Sequence, residues 1–226
     1  MKKIIQESML LRELVGDYPE TMELLHDLHI DYCCHGGDTI EEAAKKEKIN
    51  AGYLVERLKE VRPIKSSYDL DDFKGLDQRD QIREIELGHH ERERKLLQEI
   101  DDLLQKILKV HYAHHSDTLL PIHSLFGRIK TALEAHLIKE EAHSFPLFGQ
   151  DQQETLGMIS VLEEEHQEMG DLVRELQELT DFFSLPDDAC KSYERTFSLL
   201  KELTEDIFLH IFKENSILFQ DFKNQA

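Results

Sequence analysis

Of the chain's 226 residues, 40% are hydrophobic and 33% charged, with 10 Gly and 5 Pro; collagenous and low-complexity classes are excluded, and a helix-rich protein of one large or two small domains fits. Acidic residues outnumber basic ones 47 to 27, and a formal charge of -20 repels a phosphate backbone or an anionic bilayer, so neither nucleic acid nor membrane is an expected partner. No stretch approaches the roughly 18 apolar residues of a membrane span. Glu7, Glu13 and Asp17 interrupt any signal-peptide core, which makes the cytoplasm the expected location.

Residues 1–62 read as a small helical domain. Met9-Leu10-Leu11 with Leu14-Val15 forms one short apolar face, and Pro19 opens a second segment carrying Met22, Leu24-Leu25 and Leu28. Thr39 and Glu42 have capping-box spacing at the start of a third, and Asn50 stands where it can cap a fourth. The helical period is lost at Arg62-Pro63-Ile64-Lys65-Ser66-Ser67, so residues 63–78 read as a linker. Four long amphipathic segments follow, at 79–111, 118–144, 151–182 and 186–222, separated by short polar stretches that force successive helices to run antiparallel. The expected fold is all-α, an up-down-up-down four-helix bundle over residues 79–226.

The bundle carries an internal repeat. His136-Leu137-Ile138-Lys139-Glu140 in the second helix matches His210-Ile211-Phe212-Lys213-Glu214 in the fourth, each followed by Phe nine and twelve residues after its His. His90 with Leu96-Leu97 and His166 with Leu172-Val173 are weaker relatives in the first and third helices. A His-x-x-x-Glu pair stacks both side chains on one helix face, one turn apart, so both can reach one metal. His90 shares its face with the apolar residues Leu97, Ile100, Leu104 and Ile107 and points inward. Spacing alone is weak evidence, since His89 and Glu93 also match it; the duplicated context carries the reading. The antiparallel pairs place four inward histidines, His90, His136, His166 and His210, with two inward glutamates, Glu140 and Glu214. Such a set suits two first-row transition ions bridged by oxygen with open positions, and its lack of thiolates disfavours structural zinc. Imidazole and carboxylate accept iron, manganese or zinc alike.

The remaining histidines are read otherwise. His111 lies 21 residues beyond His90, about 31 Å along a straight helix, too far to share the site. His89, His114, His115 and His123 read as solvated or helix-end residues, while His143, seven residues after His136, is a candidate for the mouth of the site. Cys33 and Cys34, ahead of Gly36-Gly37, suggest a tight exposed turn whose thiolates could take a metal, accept an NO group or exchange disulfides; two small buried hydrophobes are the alternative. Cys190, alone near the start of the fourth helix, reads as structural. Three cysteines build no disulfide framework.

Asp31-Tyr32-Cys33-Cys34-His35-Gly36-Gly37, His90, the two His-x-x-x-Glu units and Glu165-His166 together resemble the RIC (repair of iron centres) family, proteins with a hemerythrin-like domain behind a short N-terminal domain. The resemblance implies a non-haem di-iron cofactor, oxo- and carboxylate-bridged, with His90, His136, His166 and His210 as ligands and Glu140 and Glu214 as bridges. It also implies repair of iron-sulfur clusters damaged by nitric oxide or peroxide during stress, in the cytoplasm, with the damaged proteins as clients, and a homodimer. Cys33 and Cys34 would assist iron transfer or redox reset. Two departures stand out: His35 separates the cysteine pair from the glycines, and Gln220 follows Phe219 where Pro is frequent in the family.

Two other classes fit parts of the pattern. A hemerythrin-like carrier or sensor of O2 or NO would need a fifth histidine, which only His143 or His89 could supply. A ferritin-like oxidase would use Glu140-x-x-His143 and Glu163-x-x-His166, but the short loops leave no long crossover. No phosphate loop, nucleophile elbow or zinc-protease string is present, so any turnover belongs to the metals, with reduction of NO to nitrous oxide the reaction to consider.

Overall fold

The computed structural model describes residues 2–62 and 70–225. Two compact units divide the chain, Met1–Gln81 together with Ile211–Ala226, and Ile82–His210. Among the described residues, no helix is long and apolar enough to cross a membrane.

The first unit is built from short helices: α1 (Leu11–Asp17), α2 (Met22–Asp27), α3 (Ile40–Lys46) and α4 (Ala51–Glu60). Both expected caps form. The Thr39 hydroxyl accepts from the Glu42 N–H at 3.2 Å while the Thr39 N–H donates back to the Glu42 carboxylate at 2.8 Å, and Asn50 Oδ1 accepts from the Tyr53 N–H at 2.9 Å. Leu11, Leu14, Leu25, Ile40, Leu54 and Leu58 are buried, each stabilising the unit by about 1.5–3 kcal/mol. Backbone bonds from Leu11 to Asp38 and from Arg12 to Gly36, both 2.9 Å, tie the stretch after the cysteine pair to the start of α1. Of the segment 63–78, residues 63–69 lie outside the described residues. The rest contains a helix, α5 (Leu70–Lys74), with Leu70 and Phe73 buried.

The second unit holds the long helices. α6 (Gln78–Ile85) passes through a π-helical turn, Glu86–His90, into α7 (Glu91–Lys139), which continues through another π-helical turn, Glu140–Ser144. The helical run of α7 reverses direction at His115, where φ is -129° and ψ is 15°. Contacts nest around that residue: Lys130 bonds Asp101 at 2.7 Å, and His90 Nδ1 bonds Glu141 at 2.8 Å. The arms before and after His115 are therefore the antiparallel first and second helices of the bundle. The third is α8 (Gln152–Leu179), capped by Asp151; Arg128 to Glu175 at 3.2 Å and His136 to Glu165 at 3.0 Å set it antiparallel to the second arm. The fourth is α9 (Lys191–Lys213), running on through a π-helical turn, Glu214–Leu218, into α10 (Phe219–Gln225). Arg195 to Glu99 and His210 to Glu93, both 3.1 Å, set α9 antiparallel to the first arm. Leu97, Ile100, Leu104 and Ile107 are buried, the face expected from their spacing.

Two boundaries differ from the periodicity. α8 ends at Leu179 because Asp181, Phe182 and Phe183 take positive φ of 47°, 53° and 64°, and α9 starts at Lys191 because Pro186 to Ala189 closes a turn. An apolar pattern carries no information about left-handed backbone, so it ran on through both.

Candidate metal centre

The three π-helical turns fall on the residues singled out by the repeat: the first ends at His90, the second begins at Glu140 and the third begins at Glu214. Such turns insert a residue into a helix and recur at functional sites. In the second unit His90, His136, Glu140, His166 and His210 come together from all four helices of the bundle, each at most 7% exposed.

Glu140 sits at the centre. Its Oε1 lies 3.2 Å from His136 Nε2 and 4.0 Å from His166 Nε2; its Oε2 lies 3.3 Å from His90 Nε2 and 3.8 Å from His210 Nε2. One carboxylate thus faces two pairs of imidazoles, one pair per oxygen. The His136 and His166 Nε2 atoms are 3.0 Å apart. Glu214 opens its π-helical turn four residues beyond His210 on the same continuous helix and is fully buried.

An outer set of carboxylates fixes the rings. His90 Nδ1 pairs with Glu141 at 2.8 Å, His136 Nδ1 with Glu165 at 3.0 Å and His210 Nδ1 with Glu93 at 3.1 Å. An Nδ1–H donated outward leaves the Nε2 lone pair pointing inward, the tautomer a metal ligand needs. Two outer acids have a further cation, Arg94 at 2.9 Å from Glu141 and Lys139 beside Glu165. The His136 hydrogen bond holds Glu165 down at about 2, with burial opposing and Lys139 assisting. Burial alone would raise Glu93 and Glu141, but His210 lowers the first and Arg94 with His90 lowers the second. Sequence reasoning missed these three acids as ring-holders. The signal was present, since Glu141 follows Glu140, Glu165 precedes His166 and Glu93 lies one turn after His90.

The fit of a cation is tested by Glu140 and His90. Both Glu140 oxygens and His90 Nε2 are fully buried without a hydrogen bond, and four imidazole nitrogens stand 3.2–4.0 Å from the Glu140 carboxylate. A buried carboxylate lacking donors is unfavourable unless positive charge is supplied. Nitrogen and oxygen donors without sulfur suit first-row divalent ions.

The comparisons agree with this geometry. The Hemerythrin HHE cation binding domain matches residues 81–222, and ScdA_N, a domain of unknown function, matches residues 7–62. The chain is 31% identical over 210 residues to the iron-sulfur cluster repair protein YtfE of Pectobacterium atrosepticum, covering 92% of this chain and 94% of that one. The chain belongs to the RIC family. Other relatives are the iron-sulfur cluster repair protein ScdA of Staphylococcus haemolyticus, 26% identical over 224 residues (97% of this chain, 100% of that one), and a probable iron-sulfur cluster repair protein of Haemophilus influenzae, 29% identical over 216 (95% and 96%).

Elsewhere in this RIC-family chain, the cysteine loop is organised by Asp31. Its Oδ1 accepts the N–H groups of Cys33 at 3.1 Å and Cys34 at 2.9 Å, and Oδ2 pairs with His35 Nδ1 at 2.9 Å. The inserted histidine therefore serves the loop. Gly36 is closely packed: a Cβ there would lie 3.0 Å from Ser216 Oγ and 3.1 Å from the Tyr32 carbonyl, so a side chain would need its neighbours to give way. Contrary to an exposed turn, Cys33 is buried, and burial with Cys34 alongside pushes its thiol well up; Cys34 is half-buried, its Sγ 3.6 Å away. Asn215, the residue after Glu214, donates to the Cys33 carbonyl at 3.4 Å.

His89 is not solvated either: it is 4% exposed, stacks on His210 at 5.4 Å and pairs with Asp206 at 3.2 Å. His143 is exposed, as are His114 and Cys190.

Proposed function

We propose that this chain repairs iron-sulfur clusters through two iron ions, which His90, His136, His166 and His210 would hold together with the carboxylates of Glu140 and Glu214. The observation that carries the reading is the placement of Glu140, one carboxylate oxygen toward His136 and His166 and the other toward His90 and His210. Three relatives named as cluster repair proteins, matched nearly end to end, support the activity. When bound, ferrous iron would supply coordination positions for NO or reactive oxygen species, or be released to a damaged cluster. The protein's share is to hold the imidazoles of His90, His136 and His210 in the inward-facing tautomer and to exclude water around the Glu140 carboxylate. The resemblance extends the reading to damage by nitric oxide or peroxide, to the cytoplasm and to a homodimer.

Cys33 and Cys34 are assigned the assisting role in transfer or redox reset, with Cys34 the more accessible thiol. Residues 7–62 and 81–222 act in this reading as two modules, the first carrying the thiols and the second the metals. The test is reactivation of a nitric oxide-damaged [4Fe-4S] enzyme by iron-loaded protein. Loss of reactivation in Glu140→Ala, together with lost iron, is the expected result; undiminished reactivation by an iron-free variant overturns the proposal.

A further inference from the structure

We infer that the opposite end of the bundle carries a second metal site, for a single zinc-class divalent ion, formed by His111, His115, Asp188 and Cys190. All four lie in the second unit. His111 and His115 are one turn apart at the end of the first arm, where the chain reverses, with ring centroids 5.8 Å apart. Asp188 and Cys190 come from the turn before α9, on alternate residues. His115 Nε2 lies 2.9 Å from Asp188 Oδ1 and 3.0 Å from Oδ2, and His111 Nε2 lies 3.2 Å from Cys190 Sγ. One ligand atom each from His111, His115 and Asp188 lie within 4.8 Å of one another.

The donor set is chemically distinct from that of the central site. Two imidazoles, a carboxylate and a thiolate make a four-donor nitrogen, oxygen and sulfur set, and His-x-x-x-His is an established zinc spacing. Around tetrahedral zinc, bond lengths of about 2.0–2.3 Å separate donors by roughly 3.3–3.6 Å. The His115–Asp188 and His111–Cys190 pairs stand a few tenths of an ångström closer than that, and Cys190 Sγ, outside the 4.8 Å group of His111, His115 and Asp188, would swing in from its contact with His111 to complete the set. The rings are held for it: buried Tyr193 packs edge-on against His111 at 5.6 Å and His115 at 6.0 Å. The site is open to solvent, with the His115 side chain 20% and Asp188 61% exposed, so an ion can enter. On coordination the Cys190 thiol gives its proton to water. The ion would join the turn before α9 to the reversal of α7.

Cobalt(II) is the probe, added under reducing, oxygen-free conditions to the iron-loaded full chain carrying Cys33→Ser and Cys34→Ser. The only remaining thiol is then Cys190, and the central site has no sulfur. A near-ultraviolet thiolate-to-cobalt charge-transfer band saturating at one equivalent is expected. It should vanish in Cys190→Ser, and His111→Ala and His115→Ala should each weaken cobalt binding about tenfold or more. Far-ultraviolet circular dichroism of these surface variants checks that they fold. Absence of the band, or a band indifferent to His111→Ala and His115→Ala, overturns the site.

Discussion

Two acids in this chain, half-buried Asp31 and fully buried Glu140, are treated in opposite ways. Asp31 receives two backbone N–H groups and the His35 ring, and these outweigh the burial that would raise it, holding it at about 2. Glu140 is more deeply buried and receives no hydrogen bond on either oxygen, though four imidazole nitrogens face it. The first acid closes a loop and needs nothing further. The second keeps both oxygens available, which makes sense only when a cation completes the site. Burial alone does not distinguish a structural acid from a ligand; the donors that surround it do.

Replacing Glu140 by Gln should break the contrast most sharply. Iron affinity is expected to fall by more than about 100-fold, measured by metal content after competition with a chelator. The same variant, metal-free, should unfold at no lower temperature than metal-free wild type, because the replaced carboxylate is buried without donors. A large loss of stability in the metal-free variant would show Glu140 to be satisfied by the protein itself.

Stripping the metal from the wild-type protein tests the two regions together. Removal of an ion held at 100 times its dissociation constant withdraws about 2.7 kcal/mol, read as a fall in Tm, while the His35 titration followed by NMR should not move. Glu165→Gln and Glu93→Gln come next, weakening iron binding by about 10–100-fold with folding retained, since each loosens a ring and removes no ligand.

Asp31→Asn should have the smallest effect, roughly 0.5–1.5 kcal/mol, because Asn still accepts the backbone N–H groups. Its sign with pH is fixed by the two partners. Asp31 lies below its ordinary 3.8, so its contribution is present above that value and is lost as pH falls through about 2. His35 is raised above 6.5, chiefly by the Asp31 hydrogen bond, so its contribution is full below 6.5 and is lost as pH rises through its raised value. The difference between wild type and Asp31→Asn, measured by urea unfolding, should therefore peak between pH 3.8 and 6.5. In the variant, the His35 titration should move down.

Much of this was legible in the sequence because it is local. The capping box at Thr39, the Asn50 cap, the apolar face of Leu97 to Ile107 and the duplicated His-x-x-x-Glu units each depend on residues within a few turns. Short connections then fixed the antiparallel order, which is enough to converge one histidine from each helix. The π-helical turns were not legible, since an inserted residue leaves no period of its own.

What the sequence by itself determined is the all-α class, the helix order and the inventory of possible ligands. Only the tertiary structure decided which carboxylates stand behind the rings, that His89 is buried, that Cys33 is enclosed, and that His111 and His115 meet Asp188 and Cys190. The physical reason is range: Glu93 and His210 are 117 residues apart and His111 and Cys190 are 79 apart. A side chain's local period states which face it occupies; what occupies the opposite face is settled by packing alone.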